Sequence, residues 1–212
     1  MSSPKEFCDR WNEKRDGTLN KLDREIMQHT NLSSDTRRFL SEAGLPASAA
    51  PFIEFDNATE LMQNVTQKFG IPIDFEFYWF IGTTGSGDPL CIDERTNNVV
   101  YLHHDNNYEE IFINSSIHQF AESLLLFSKL IDEAIQINGE FAFLDNEIPE
   151  SVRIWFENEV RRIDSKAVEK NTFWSEELET LLNKRMYFID DVLHLWDIYR
   201  DFIINVSLHI FL

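Results

Sequence analysis

The stretch from Phe75 to His118 constrains the fold most, because short apolar runs alternate there with turn-forming residues. Runs rich in aromatic and β-branched residues predict four β-strands, at 75–81, 90–93, 98–104 and 109–114. The links between these runs are too short to hold a helical crossover. We therefore predict that the four strands pair antiparallel, as a meander.

The first predicted strand is apolar on both of its faces. Side chains alternate along a strand, so one face carries Phe75, Phe77, Trp79 and Ile81, and the other carries Tyr78 and Phe80. A strand that is apolar on both sides is typical of a sheet with both faces largely covered.

A long amphipathic helix is predicted directly after the last strand. Ser116 suits the N-cap position, and Gln119, three residues later, can complete a capping box. The helix pattern then runs at three- and four-residue steps through Ile117, Phe120, Ala121, Leu124, Leu125, Ser128, Ile131 and Ile135. The pair Asn138-Gly139 is expected to end it.

Shorter elements surround this unit. Helices are predicted at 4–14, at about 19–27, from a cap at 33–35 to Gly44, from Pro149 to Ile163, and around 174–182. Residues 52–55 are a candidate further strand. The predicted fold is therefore a single α+β domain, in which a twisted antiparallel (mixed at most) sheet of four to six strands is flanked by helices.

The order of these motifs resembles the SUKH superfamily, and is closest to its fourth immunity-protein family. The resemblance rests on an aromatic strand into Ile-Gly, a Gly/Ser/Asp loop, the strands L-C-I-D and V-V-Y, and I-F-I-N-S-S leading into a helix with F-A-E-S-L. Phe39-Leu40 with Gly44-Leu45-Pro46, and Ile163-Asp164 with Phe173-Trp174, resemble flanking motifs of that family. One departure is Asn97-Asn98, where the family usually carries a Gly; Asn tolerates a left-handed backbone.

The resemblance covers roughly residues 32–182, which divides the chain into three parts. We expect N-terminal helices at 1–31, a SUKH-like α+β domain at 32–182 and a C-terminal helical extension at 183–212. The extension carries two neighbouring apolar stripes, which suit either a longer packed C-terminus or a homodimer contact. A membrane anchor is disfavoured there, because four Asp residues would be repelled by anionic lipid.

Charge excludes one large class of function. The formal net charge is −18, and residues 51–150 carry eighteen acidic but only three basic residues. A general nucleic-acid binder needs Lys and Arg to contact phosphates, so direct nucleic-acid binding is not expected. Such acidity either keeps a protein soluble or favours a basic protein partner.

The cellular location follows from what the sequence lacks. No basic-then-apolar start indicates a signal peptide, and no uncharged apolar run is long enough to span a membrane. The two cysteines, Cys8 and Cys91, form no disulfide framework, and Cys91 suits a buried position in a strand. We therefore expect a cytoplasmic protein.

Three patterns that imitate reactive sites have simpler explanations. The Gly-rich stretch 82–87 lacks the Lys of a phosphate loop and precedes a strand. His103 and His104 point to opposite faces of a strand, so they cannot share one metal ion without a bulge. Ser115 and Ser116 near His118 are explained by helix capping. No catalytic, metal or cofactor-binding residues are predicted.

The resemblance implies an immunity protein that binds and neutralises a polymorphic toxin, commonly a nuclease or a nucleic-acid deaminase, and that is not an enzyme. We expect occlusion, in which acidic side chains cover the basic cleft of the toxin domain. The candidate contacts crowd the loops and edges of the sheet: Asp88, Asp93, Glu94, Asp105, Glu109 and Glu110. The alternative is a SUKH-like scaffold or regulatory interaction module, and a small hydrolase has no sequence support.

Overall fold

The computed structural model describes residues 3–57 and 60–182, which form an α+β domain. The helices are α1 (Pro4–Arg10), α2 (Glu13–Asp16), α3 (Ser34–Glu42), α4 (Val65–Phe69), α5 (Ile117–Asn138), α6 (Glu150–Ile163) and α7 (Phe173–Leu182). The strands are β1 (Leu19–Asn20), β2 (Leu45–Pro46), β3 (Ser48–Ala49), β4 (Ile53–Phe55), β5 (Tyr78–Thr84), β6 (Pro89–Asp93), β7 (Val99–His103) and β8 (Glu109–Asn114). The predicted extension at 183–212 lies outside the described residues.

The main sheet has six strands in the order β3-β4-β5-β6-β7-β8, and every neighbouring pair is antiparallel. The predicted meander and α+β class are thus confirmed. Strands β1 and β2 form a separate two-stranded sheet. The candidate strand at 52–55 is confirmed as β4.

The first strand of the meander begins later than the sequence pattern indicates. Residues Ile73–Phe75 form a 3-10 helix, in which Phe75 N–H donates to the Pro72 carbonyl at 3.0 Å. The ring of Phe75 packs on the ring of Tyr108, which directly precedes the edge strand β8, and the two ring centroids are 5.6 Å apart. This contact takes Phe75 out of the strand and over one of its faces.

The predicted helix at 19–27 is wrong over its first residues, which form strand β1. Gly44, at φ +77°, lies so close to this strand that a Cβ would stand 2.2 Å from the Asn20 carbonyl oxygen. This close contact is consistent with the pairing of β1 with β2, which directly follows Gly44, and residues 19–20 are therefore extended and not helical. Only Glu25–Met27 make a 3-10 turn. The predicted helix at 4–14 also divides, because Trp11 is extended and its Nε1 donates to the Gly17 carbonyl at 2.8 Å.

The sheet has two differently covered faces. The larger core lies between one face and the helices, and includes Phe7, Phe39, Phe120, Phe127 and Trp174. The second face carries a smaller cluster of Val65, Ile71, Tyr78, Phe80, Cys91, Val100 and Leu102. Trp79 and Ile81 belong to the first cluster, while Tyr78 and Phe80 belong to the second, as the alternation predicts.

Helix α5 spans the larger core and ends where the sequence predicts. Ser116 is its N-cap, with Oγ accepting from Gln119 N–H, and Gly139 is its C-cap. The side chain of Gln119 also donates from Nε2 to the Ile163 carbonyl at 2.8 Å. This bond ties the start of α5 to the end of α6.

Of the described residues, one segment, 64–77, supplies Val65, Ile71 and Phe75 to the cluster on the second face, and we call this segment the arch. It consists of α4, the turn at Gly70 and the 3-10 helix. Asn64 and Gln67 cap α4 reciprocally, at 2.9 and 3.1 Å, and Thr66 Oγ1 donates to the Pro72 carbonyl at 3.1 Å. These bonds fix the conformation of the arch, which packs on the smaller cluster of the second face.

Candidate docking surface

Asp88 is buried, and its carboxylate organises the hairpin between β5 and β6. It accepts from the His104 backbone N–H at 2.9 Å and from Thr84 Oγ1 at 3.1 Å. His104 Nδ1 also lies 2.6 Å from Asp88 Oδ1, and this hydrogen bond raises the pKa of His104 above its usual value. The carboxylate therefore links two loops of the sheet and has little surface to offer a partner.

Asp93 is buried as well, at the end of β6. It accepts from the Arg95 backbone N–H at 3.0 Å, from Arg95 Nε at 2.8 Å and from Thr96 Oγ1 at 3.1 Å. Burial alone would raise the pKa of Asp93, but the bonds from Arg95 and Thr96 outweigh it and lower the pKa below its usual value. Asp93 holds the tight turn that follows β6.

Glu94 bridges the sheet and the N-terminal region. Trp79 Nε1 donates to its carboxylate at 2.6 Å, and Asn31 Nδ2 donates at 3.1 Å. Asp88, Asp93 and Glu94 thus make internal bonds that link separate segments or hold turns, and Asp88 and Asp93 do so from buried positions.

The other three predicted residues, Asp105, Glu109 and Glu110, are exposed at one end of β8 and in the loop before it. Glu110 also accepts from the Tyr78 hydroxyl at 2.6 Å. Burial, then this bond to Glu110, raises the pKa of Tyr78 to about 12, so the hydroxyl keeps its proton at neutral pH. The role of these carboxylates in binding a toxin stays a prediction.

The arch adds two exposed carboxylates that were not predicted as contacts, Asp74 and Glu76. They flank Phe75, whose ring packs on Tyr108, the residue directly before Glu109. This aromatic contact places the end of the arch beside the start of β8. We call the resulting surface, formed by Asp74, Glu76, Asp105, Glu109 and Glu110, the acidic corner.

The alternation of Phe75 and Phe77 with Asp74 and Glu76 was a sequence signal for these two positions. The sequence pattern predicts a strand that starts at Phe75, and that strand gives no connection between these two residues and β8. Only the 3-10 turn at 73–75 brings them to the same corner.

The basic residues of the acidic stretch 51–150 are all engaged in contacts. Lys68 pairs with Asp56 at 3.1 Å, and Lys129 Nζ lies 4.8 Å from the centre of the Trp155 ring. Arg95 lies beside the acidic corner, where it bonds Asp93 and donates from Nη2 to the Tyr78 hydroxyl at 3.0 Å. Pairing Arg95 with Asp93 leaves the corner itself strongly negative.

The three patterns that imitate reactive sites have structural roles. The Gly-rich stretch lies in the β5–β6 hairpin, where Gly87 N–H donates to the Thr84 carbonyl at 2.9 Å. The rings of His103 and His104 lie 6.4 Å apart, on a strand end and in a 3-10 turn. Ser115 Oγ donates to Asp164 at 3.0 Å, and Ser116 caps α5.

The motif residues that carry the family resemblance meet in a buried network. Asn114 donates from Nδ2 to Asp164 at 3.2 Å and accepts from Trp174 Nε1 at 2.9 Å. Asp164 also accepts from Ser115 N–H at 2.6 Å. These bonds join β8, the start of α5, the end of α6 and α7, so the motifs specify how the helices attach to the sheet.

Two small hollows lie in the described part of the chain. One is lined by Leu22 and Phe80 and the other by Trp11 and Leu124, and they hold about 10 Å³ each, room for about one water molecule. Within residues 3–57 and 60–182, no group of three or more His, Cys, Asp or Glu side chains is arranged to hold a metal ion. Among the described helices, none combines the length and apolar character that crossing a bilayer requires.

Comparison with protein families matches residues 15–180 to the SUKH-4 immunity protein family. Searches of curated proteins and of solved structures gave no match.

Proposed function

The chain belongs to the SUKH-4 immunity protein family, and from this premise we propose that it binds and neutralises a polymorphic toxin by occlusion. The toxin we propose is a nuclease or a nucleic-acid deaminase. Such an enzyme holds its substrate in a cleft lined by Lys and Arg, because it must contact phosphates. A protein that fills this cleft blocks the substrate without any chemical step.

The acidic corner is the single observation that carries this proposal. Five exposed carboxylates lie on the last part of the arch, in the loop before β8 and on the first two residues of β8, and the cation Arg95 bonds Asp93. Carboxylates held in a fixed arrangement can compete with phosphates for the same Lys and Arg side chains. A surface of this charge also repels nucleic acid, so the protein does not itself bind the toxin's substrate.

Electrostatics should act mainly on how fast the two proteins associate. Complementary charges raise association rates by orders of magnitude at low salt, and the effect weakens as the Debye length falls to about 8 Å at physiological ionic strength. Rapid capture suits an inhibitor that must reach a toxin before its substrate does.

We place this activity in the cytoplasm. Cys91 is a buried free thiol, and burial raises its pKa well above the usual value, so it stays protonated and unreactive. Cys8 is also free. A chain with free thiols and no disulfide suits a reducing compartment, where nucleic-acid substrates of the toxin are also found.

The test is binding to the toxin domain encoded beside this gene, with and without the charges of the corner. The variant carries Asp74→Asn, Glu76→Gln, Asp105→Asn, Glu109→Gln and Glu110→Gln. A matched control removes five exposed carboxylates elsewhere, through Glu13→Gln, Glu140→Gln, Asp145→Asn, Glu150→Gln and Glu169→Gln. The two variants therefore have the same net charge.

We expect the corner variant to associate at least tenfold more slowly than the control at low salt, and to protect the substrate less well in a toxin activity assay. Equal association by the two variants would contradict the proposed corner. Failure of the unaltered protein to bind or inhibit the toxin would contradict immunity, and would favour a scaffold or regulatory role.

A further inference from the structure

The arch presents apolar side chains beside the acidic corner. Ile73 is 64% exposed and Phe69 is 48% exposed, whereas Ile71 between them is buried. The chain therefore turns outward at Phe69, inward at Ile71 and outward again at Ile73. Thr66 Oγ1 holds the Pro72 carbonyl at 3.1 Å, which keeps the segment after Gly70 close to α4.

This apolar surface is held in a fixed shape. Gly70 adopts a left-handed conformation, with φ +68°, that lets α4 end and the chain reverse. Phe69 rests with its ring centroid 5.2 Å from that of Phe80, and Lys68 Nζ lies 4.3 Å from the centre of the same ring while pairing with Asp56. Binding would immobilise few additional groups here, because the backbone is already ordered by these contacts.

Single exposed apolar residues are common on protein surfaces and have no special meaning. Ile73 differs because it lies directly before Asp74, a member of the acidic corner, on a segment with no role in the larger core. A small apolar centre beside a charged rim is the arrangement of protein–protein interfaces, in which a few buried apolar anchors supply most of the affinity.

We propose that Ile73 and Phe69 are the anchor of the toxin interface, and that the acidic corner is its charged rim. This inference rests on the proposed function. It specifies the partner as a protein surface with an apolar recess beside a Lys- and Arg-rich cleft. A strand of nucleic acid or an anionic membrane does not fit, because the five carboxylates beside the anchor would repel phosphates.

The two parts of the interface should act on different rate constants. Neutralising the rim lowers the association rate, since it removes steering over distance. Removing an anchor leaves association nearly unchanged and raises the dissociation rate, since the anchor contacts form only in the bound state. Salt should therefore weaken the anchor contribution much less than the rim contribution.

The experiment measures association and dissociation rates for the toxin domain encoded beside this gene, using the full chain. The test variants are Ile73→Ser and Phe69→Ser, and Ile73→Leu should restore binding because it keeps the apolar surface. Ile137→Ser is the matched control, because Ile137 is 57% exposed at the far end of α5. Thermal unfolding of each variant verifies that it is folded.

We expect Ile73→Ser to dissociate about 30-fold faster, the scale of an interface hot spot, with Ile73→Leu and Ile137→Ser close to the unaltered protein. Equal dissociation of Ile73→Ser and Ile137→Ser would overturn the anchor, even where the unaltered protein inhibits the toxin. No binding by the unaltered protein would instead contradict the proposed function, so the two failures are distinguishable.

Discussion

The two faces of the central sheet differ in what covers them. Helices α1, α3, α5, α6 and α7 bury the first face under a core that includes six fully buried aromatic side chains. Within residues 3–57 and 60–182, the arch packs on the second face together with Tyr108, and it leaves charged and apolar side chains on its outer side. The helix-covered face thus holds the fold together, and the arch-covered face is the one suited to contact a partner.

This difference separates the residues that identify the family from the residues proposed to bind. Asn114, Asp164 and Trp174 belong to the motifs by which the chain resembles SUKH proteins, and all three are buried in one network. The acidic corner includes no member of that network. A stable scaffold can therefore keep its internal network while its exposed corner changes with the partner.

The largest expected effect comes from breaking the helix-covered face. Trp174 is fully buried, packs on Phe127 and Phe156, and donates to Asn114. Trp174→Ala should lower the free energy of unfolding by about 3–5 kcal/mol, because it leaves a cavity and an unpaired acceptor. Urea denaturation of the unaltered protein and the variant measures this difference in the free energy of unfolding.

Trp155→Ala is the matched control for this prediction, because Trp155 is only half-buried beside Lys129. Trp155→Ala should lower the free energy of unfolding much less than Trp174→Ala does. Equal losses for the two Trp variants would contradict the central place of the network.

A backbone change tests the joint between the N-terminal region and the domain. Gly44→Ala should destabilise by about 2–4 kcal/mol, because Gly44 has φ +77° and an added Cβ would meet the Asn20 carbonyl oxygen at 2.2 Å. Gly17→Ala has a similar φ, +80°, but no atom lies within 4 Å of the added Cβ, so a smaller loss of about 1–2 kcal/mol is expected from the backbone conformation alone. Thermal unfolding of both variants measures the two losses of stability. A larger loss for Gly44→Ala shows that the close contact with Asn20 adds to the effect of the backbone conformation.

The buried carboxylate of Asp93 should contribute to the free energy of unfolding, and acid should remove that contribution. The exposed carboxylates of the acidic corner should contribute little. Asp93→Asn should cost about 1–3 kcal/mol at pH 7, whereas Glu109→Gln should change stability little. The pKa of Asp93 is lowered in the folded protein, so its contribution is present above the unfolded pKa of about 3.8 and is lost as pH falls through the folded value.

Unfolding free energies of the unaltered protein and Asp93→Asn should therefore converge at strongly acidic pH. A difference that stays constant between pH 7 and pH 2 would show that Asp93 contributes through shape rather than charge.

The smallest expected effect is at His104, which is exposed but bonded to Asp88. Its pKa is raised by that bond, so the bond stabilises the fold below about pH 6.5 and the contribution is lost as pH rises through the folded pKa. An NMR titration of His104 should give a pKa above that of a free histidine in the unaltered protein. The shift should disappear in Asp88→Asn; a shift that persists would assign it to Asp105 instead.

The sequence predicted the sheet well because its signals are local. Alternation in 75–118 and the residues Ser116 and Gly139 determine strand order and the limits of α5 through contacts between chain neighbours. It failed at Leu19 and at Phe75, where the outcome depends on distant partners: the Gly44 approach to Asn20, and the Tyr108 ring.

The exposure of the predicted contact residues also depends on distant partners. A carboxylate in a loop or at a strand end looks exposed in the sequence, yet Asp88 and Asp93 are buried, and His104, Arg95 and Thr96 donate hydrogen bonds to them. Conversely, Asp74 and Glu76 join the corner only because the arch crosses the sheet. Which charges are exposed together is a property of tertiary structure.

Hydrogen–deuterium exchange of the protein with the toxin domain proposed as its partner tests the comparison of the two faces most directly. Binding should slow exchange in residues 69–76 and 105–110, on the arch and the start of β8, and leave α6 and α7 unchanged. Protection confined to α6 and α7, with the arch exchanging as in the free protein, would contradict the assignment of binding to the arch-covered face.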